Sequence, residues 1–200
     1  MNVTIGATES LPRGVLQKLS SYRHKVFIEK LGWELQTPKG VELDQFDRLD
    51  TVYIIAQDGH GCINGCARLL PTNSPYLLGE VFPQLLNGMP PPCTSDVWEL
   101  SRFAAVDFNA PTASSLSQFS SPVAVGLLHA ALKCAAAHGA KRLITVSPLG
   151  VERLLRKAGF HTHRVAPPVI IGGQPLFACW IEVPQFLIRS TVDVGRNIQA

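Results

Sequence analysis

Glu99, Ser101 and Arg102 fall within DVWELSRFAA (96–105), a run whose other residues read as a buried strand. A carboxylate can take a proton or hold a cation, and a guanidinium can grip a carboxylate through parallel N–H groups. In a chain with only 16 % charged residues, such a grouping on one strand needs a chemical reason. Strict alternation puts Glu99, Ser101 and Phe103 on one face; Arg102 joins them only where a bulge or the strand end turns it. Arg23 and Phe27 lie four apart on a helical pattern and share a face. Trp33 follows that helix, Asp44 and Asp47 stand three apart on either side of Phe46, and Arg68 lies in GCARLL.

Two or three carboxylates, three arginines and several aromatics suit a zwitterionic ligand with an additional positive charge. Carboxylates would hold an ammonium, an arginine a carboxylate, and a ring face a cation. Spacing does not show that these residues converge. For each, the plain alternative is a surface ion pair worth little, or, for Phe27 and Trp33, an ordinary core residue.

The elements that must carry these groups follow from periodicity. Leu11, Val15, Leu19, Tyr22 and Val26 predict a long amphipathic helix, capped at Ser10 with Pro12 in its first turn and stopped at Gly32. TPKGVELDQFDRLD predicts an ordered loop running over the surface. TVYIIAQ and CINGCARLL predict a hairpin turned at DGHG. DVWELSRFAA is the next strand. APTASSLSQFSS reads as a mobile loop, SPVAVGLLHAALKCAAAHG as a helix ended by Gly139, KRLITVS as a strand and PLGVERLLRKAGF as a short helix. RVAPPVIIGGQPLFACWIEV predicts a terminal hairpin at Gly172-Gly173. This order implies an α/β protein with a mixed sheet and helices packed against it, in a single domain spanning residues 1–200.

Composition agrees with a compact soluble protein: 46 % of residues are apolar, and a net charge of +3 is too modest to announce nucleic-acid binding. The N-terminus lacks the order of a secretory signal, and no apolar run approaches the roughly 18 residues of a membrane span. A cytoplasmic location is expected. Five cysteines with no C-x-x-C pair predict reduced, mostly buried thiols, with neither a disulfide framework nor a zinc knuckle.

YRHKVFIEKLGWEL, GVELDQFDRLDTVYII, GCARLLPTNSPYLL and WELSRFA, in this order, closely resemble the acyl-homoserine-lactone synthases, the autoinducer synthases of bacterial quorum sensing. The family pattern appears at Arg23, Phe27, Trp33, Asp44, Asp47, Arg68, Glu99, Ser101 and Arg102 without departure. It is dense over about the first 105 residues and looser through LITVSPLGVERLLRKAGF to the end. The resemblance implies a three-layer αβα sandwich related to the N-acetyltransferases, its sheet splayed to admit a pantetheine arm. It implies an acyltransferase whose substrates are S-adenosylmethionine and an acyl chain on acyl carrier protein, with no metal or further cofactor. No nucleic-acid or membrane partner and no obligate oligomer is implied.

On that reading Glu99 is the base for the substrate amine, with a bridging water or a backbone carbonyl as the alternative, and Asp44 and Asp47 either orient the ammonium or brace Arg23, Arg68 and Arg102. Ser101 stands beside Glu99, and Arg23, Phe27, Trp33 and Phe103 line the S-adenosylmethionine cavity. Leu100, Ile144, Val146, Leu149 and Leu155 would wall an apolar acyl tunnel, with Thr145 placed to bond a 3-oxo group, and a medium chain near eight carbons is expected. The segment from Lys141 through Arg142, Arg153, Arg156 and Lys157 to Arg164 is the most basic in the chain and would dock the acidic carrier. Two rivals stand beside this reading. A coenzyme A-dependent acyltransferase would carry a Gly-rich phosphate turn, which SQFSSPVAVG lacks. A non-catalytic sensor of the same ligands would not need Glu99.

Overall fold

The computed structural model describes residues 2–109 and 121–188. It comprises two compact units, Met1–Arg68 with Arg102–Leu128, and Leu69–Ser101 with His129–Ala200. The strands β3 (Ile63–Pro71) and β4 (Val97–Ala104) and the helix α3 (Pro122–Ala137) pass from one unit to the other.

In the first unit, an unanticipated strand β1 (Asn2–Ala7) pairs antiparallel with β2 (Val52–Gln57), from Asn2↔Gln57 to Ala7↔Val52. Its residues are exposed or half-buried, so no alternating burial pattern marks it. The first helix, α1 (Val15–Arg23), begins at Val15 and not at Ser10. Ser10 belongs to a short 3-10 turn and donates its hydroxyl back to the Ala7 carbonyl at 3.0 Å. From His24 to Lys30 the helix widens into a π-helical turn, with the Leu31 N–H reaching the Val26 carbonyl. Such turns hold side chains at angles that a regular helix cannot supply. Leu19, Tyr22, Val26 and Phe27 pack against Tyr53, Ile55, Cys66, Ala104 and Val106 as this unit's core. The Tyr22 hydroxyl is tied to the Val106 backbone, accepting from its N–H at 2.9 Å and donating to its carbonyl at 3.1 Å.

The segment expected to run over the surface is irregular, as its composition requires, but it is not superficial. Glu42, Phe46 and Thr51 are buried and the Asp47 carboxylate is 4 % exposed. Its acidic residues point inward because three buried arginines meet them there.

In the second unit, β4 runs parallel to β5 (Arg142–Pro148), which requires the long crossover through α3. The pairing runs Val97↔Arg142, Trp98↔Leu143 and Glu99↔Ile144 and goes no further, although both strands continue. The sheet is therefore open beyond Glu99. β5 then pairs antiparallel with β8 (Gln174–Glu182), which also carries β6 (Thr162–Arg164) and β7 (Val169–Ile171), giving a mixed sheet. The terminal hairpin turns at Gly172 and Gly173, both at positive φ, as the sequence predicts. α4 (Val151–Lys157) follows β5; a short helix α2 (Leu77–Val81) and a 3-10 turn (Pro83–Leu86) precede β4. These two are too brief to show periodicity. The Ser- and Thr-rich segment 110–120 lies outside the described residues.

All five cysteines are free, Cys66, Cys134 and Cys179 buried and Cys62 and Cys93 exposed. No helix among the described residues is long and apolar enough to cross a membrane.

Candidate active site

The first unit holds a closed cluster of three arginines and three carboxylates. Arg23 gives Nε to Glu42 Oε2 at 2.5 Å and its two terminal nitrogens to Asp47, at 2.6 and 3.0 Å. Arg68 grips Asp44 in the same forked manner, at 2.6 and 3.1 Å, and reaches Asp47 at 3.2 Å. Arg102 donates from Nε to Glu42 Oε1 at 3.0 Å and from Nη2 to Asp44 Oδ2 at 2.8 Å. The formal charges, three positive and three negative, cancel. Isolated buried charges would be prohibitive, and only this degree of pairing makes the arrangement tolerable.

Within β4, Arg102 has φ +50, in the left-handed region that side chains rarely occupy, and its guanidinium enters the cluster. The Cys66 thiol donates to the Arg102 carbonyl at 3.1 Å. Burial pushes that thiol's pKa up to about 12, so it stays protonated. The Arg102 guanidinium lies 5.6 Å from the Phe27 ring centroid and 5.3 Å from that of Trp33, and the two rings stack at 4.7 Å. Phe27 is buried, whereas Trp33 is 41 % exposed, so the stack has a wet end.

The carboxylates are nearly saturated as acceptors. Asp44 Oδ1 takes Arg68 and the Phe46 N–H, and its Oδ2 takes Arg68 and Arg102. Asp47 Oδ1 takes Arg23 and the Tyr53 hydroxyl, and its Oδ2 takes Arg23 and the Asp44 N–H. A carboxylate offers about four lone-pair positions. Of the two roles the sequence allows these aspartates, the geometry favours bracing the arginines over holding an ammonium. Burial works to raise the Asp47 pKa, but the hydrogen bonds and charge of Arg23, with the charge of Arg68, hold it well below the ordinary carboxylate range. Burial likewise opposes the charge on Arg23, and Asp47 and Glu42 outweigh it.

Glu42 and Tyr53 were not singled out by sequence. Glu42 is fully buried and, among the described residues, is the carboxylate shared between Arg23 and Arg102. Its signal was available in the spacing of VELDQFD, where a third acid precedes Asp44 by two, and in the count of arginines needing partners. Beside the cluster, Glu42 and Asp44 join Leu35, Thr37 and their neighbours in lining a cavity of about 410 Å³.

In the second unit Glu99 is 1 % exposed, and its Oε2 accepts the Leu78 N–H, in the first turn of α2, at 2.6 Å. α2 thus fixes the carboxylate's orientation. Ser101 is buried and Phe103, in the first unit, half-buried. Ile144, Thr145 and Leu155 are buried, Val146 is half-buried and Leu149 is 44 % exposed. Alternation along β5 sets Ile144 and Val146 on one face and Thr145 on the other, so one channel cannot be walled by all three. Ile144 shares the face of its parallel partner Glu99.

The basic segment is exposed at Lys141, Arg153, Arg156, Lys157 and Arg164, while Arg142 lies half-buried over the Trp180 ring at 4.5 Å. Arg156 and Arg164 share Glu152, at 3.0 and 2.6 Å, and Lys141 pairs with Asp96 at 3.2 Å.

The chain is 57 % identical to the acyl-homoserine-lactone synthase of Acinetobacter nosocomialis over 92 % of this chain and 100 % of that one. Among solved structures it is similar to TofI in a ternary complex with an inhibitor and MTA (TM-score 0.78, 43 % identity, 92 % of each chain). It is also similar to MesI, described as a CoA-dependent acyl-homoserine lactone synthase (TM-score 0.77, 28 % identity, 96 % of this chain and 94 % of that one). A putative N-acetyltransferase from Lactobacillus plantarum shares the fold at 14 % identity (TM-score 0.59, 92 % of this chain and 98 % of that one). The profile of the autoinducer synthases matches residues 9–186. The chain therefore belongs to the autoinducer synthase family, the acyltransferases that make acyl-homoserine lactones.

Proposed function

We propose that the protein transfers a medium acyl chain, of about eight carbons, from acyl carrier protein to the amine of S-adenosylmethionine and then closes the lactone. The observation that carries this reading is the charge-balanced cluster of Arg23, Arg68 and Arg102, with Arg102 set against the Phe27–Trp33 stack. Arg102 spends Nε and Nη2 on Glu42 and Asp44, which leaves Nη1 for a substrate carboxylate. The rings, with Phe103, offer an adenine and a sulfonium the faces they favour.

In the first step the amine gives up a proton, for which Glu99 is the assigned base, and its nitrogen attacks the thioester carbonyl. The C–N bond forms and the pantetheine thiol leaves. In the second step the substrate carboxylate attacks the γ-carbon, the bond to the sulfonium breaks and 5′-methylthioadenosine departs. No metal or further cofactor is needed for either step. Because Ile144 and Val146 share the Glu99 face, the carbons next to the thioester are assigned to that side of β5, and Leu100 and Thr145 to the other. A cytoplasmic site of action follows from where both substrates are made.

The exposed basic surface of α4 favours a protein-bound donor, since acyl carrier proteins are acidic. Likeness to the CoA-dependent MesI supports the second reading, an acyl-CoA donor. Incubation with S-adenosylmethionine and a panel of acyl thioesters, on carrier protein and on coenzyme A, decides between them by mass spectrometry. Acyl-homoserine lactone and methylthioadenosine are expected together from the carrier-bound set; their absence from every thioester overturns the proposal. Glu99→Gln should lower kcat by about a thousandfold while S-adenosylmethionine affinity stays within about tenfold. An equal loss of binding would reassign Glu99 to a structural role.

A further inference from the structure

The cavity beside the arginine cluster contains a hydroxyl that the protein does not use. Thr37 lines it, and Thr37 Oγ1 is shielded from solvent with no hydrogen-bond partner among the described residues. A hydroxyl withdrawn from water without a partner costs stability, and native structures rarely retain one without a use. The local chain explains why it finds none nearby. Thr37 precedes Pro38, which has no N–H to offer and restricts Thr37 to an extended backbone. The Pro38 carbonyl is taken by the Val41 N–H, at 3.1 Å.

The same cavity is faced by Glu42 and Asp44, and the acceptor positions of Asp44 are filled by Arg68, Arg102 and the Phe46 N–H. An ammonium brought here meets an acidic wall whose aspartate has no lone pair to spare. The Thr37 hydroxyl is an oxygen of that wall that is shielded from water and has no partner among the described residues. We propose that Thr37 is a substrate-contact residue whose Oγ1 accepts one N–H of the amino-acid end of S-adenosylmethionine; this rests on the substrate reading above. Accepting an N–H leaves the nitrogen lone pair, once the proton is lost, for the acyl carbonyl. Thr37 holds the nucleophile and takes no part in the bond changes.

Thr37→Val replaces the hydroxyl with a methyl of similar size. Calorimetric titration should show the Kd for S-adenosylmethionine raised about three- to tenfold, with affinity for methylthioadenosine, which lacks the amino-acid end, unchanged. Thr37→Ser should restore S-adenosylmethionine binding to within about twofold. The melting temperature of the ligand-free protein should be unchanged or higher in Thr37→Val, because no partner is lost. Equal weakening of both ligands, or of neither, overturns the inference, as does a lowered melting temperature, which would reveal a structural bond. Failure of the unmodified protein to bind S-adenosylmethionine would instead overturn the substrate reading itself.

Discussion

Arginine is used in opposite ways in the two units. In the first, Arg23, Arg68 and Arg102 have side chains no more than 4 % exposed, and each is matched by carboxylates held in forked geometry. In the second, the segment from Lys141 to Arg164 sets six basic residues against Glu152 alone, and Arg156 is 58 % exposed. Buried charges must be neutralised where they stand, so the first set is a rigid frame that can orient a small ligand. Exposed charges keep their hydration and act at a distance, which is what the proposed steering of a large acidic partner requires. Under the proposed function, the contrast divides the work between positioning and recruitment.

The largest effect should come from breaking the frame. Glu42→Gln keeps the shape of the side chain but turns an amide N–H₂ or a neutral oxygen toward two guanidinium groups. Removing one partner from a buried ion-paired set should cost about 3–5 kcal/mol in urea denaturation. Asp96→Asn, which weakens the exposed pair with Lys141, should be indistinguishable from the unmodified protein in the same measurement. If the two variants behaved alike, the cluster would be hydrated in solution and the contrast would fail.

A smaller effect distinguishes the units by pH. The folded-state pKa of Asp47 lies below its ordinary value of 3.8, so its contribution to stability is fully present above that value. It is lost as pH falls below about 4, where the unfolded chain binds the proton first. Denaturation midpoints followed from pH 6 downward, as roughly set by that window, should therefore decline, and Asp47→Asn should flatten the decline while lowering stability at neutral pH. A decline of unchanged slope in Asp47→Asn would show that other carboxylates govern acid unfolding.

The same contrast explains what could be read from the chain alone. Helices with a sustained apolar stripe, the strands β5 and β8 and the Gly172-Gly173 hairpin were legible because each follows from local periodicity or turn chemistry. β1 and α2 were not: one is a half-exposed edge strand and the other is five residues long, so neither carries a pattern of its own. The site was legible residue by residue at Arg23, Asp44, Asp47, Arg68 and Arg102, but its logic was not. VELDQFD looks like a solvated loop until three arginines arrive from α1, β3 and β4, and that meeting is tertiary. For the same reason Glu42 was passed over, and the turn of Arg102 could be posed only as a condition. Alternation, applied strictly, also separates Thr145 from Ile144 and Val146, which sequence proximity had grouped.

The basic surface proposed to dock the carrier offers the mildest test. Arg153 and Lys157 are exposed on α4, so their replacement should leave the fold intact, with stability changed by no more than about 0.5 kcal/mol. Arg153→Glu with Lys157→Glu should raise the KM for acyl carrier protein about tenfold at low ionic strength, with the KM for S-adenosylmethionine unchanged. Because the charges act through solvent, salt should erase the difference as the Debye length falls from about 10 Å at 0.1 M to about 3 Å at 1 M. Turnover with a small acyl-CoA, if any is seen, should not respond to the substitution, since no acidic protein surface is then involved. An unchanged KM for the carrier at low salt would mean that α4 does not recruit it, and the basic segment would then be a solvated face.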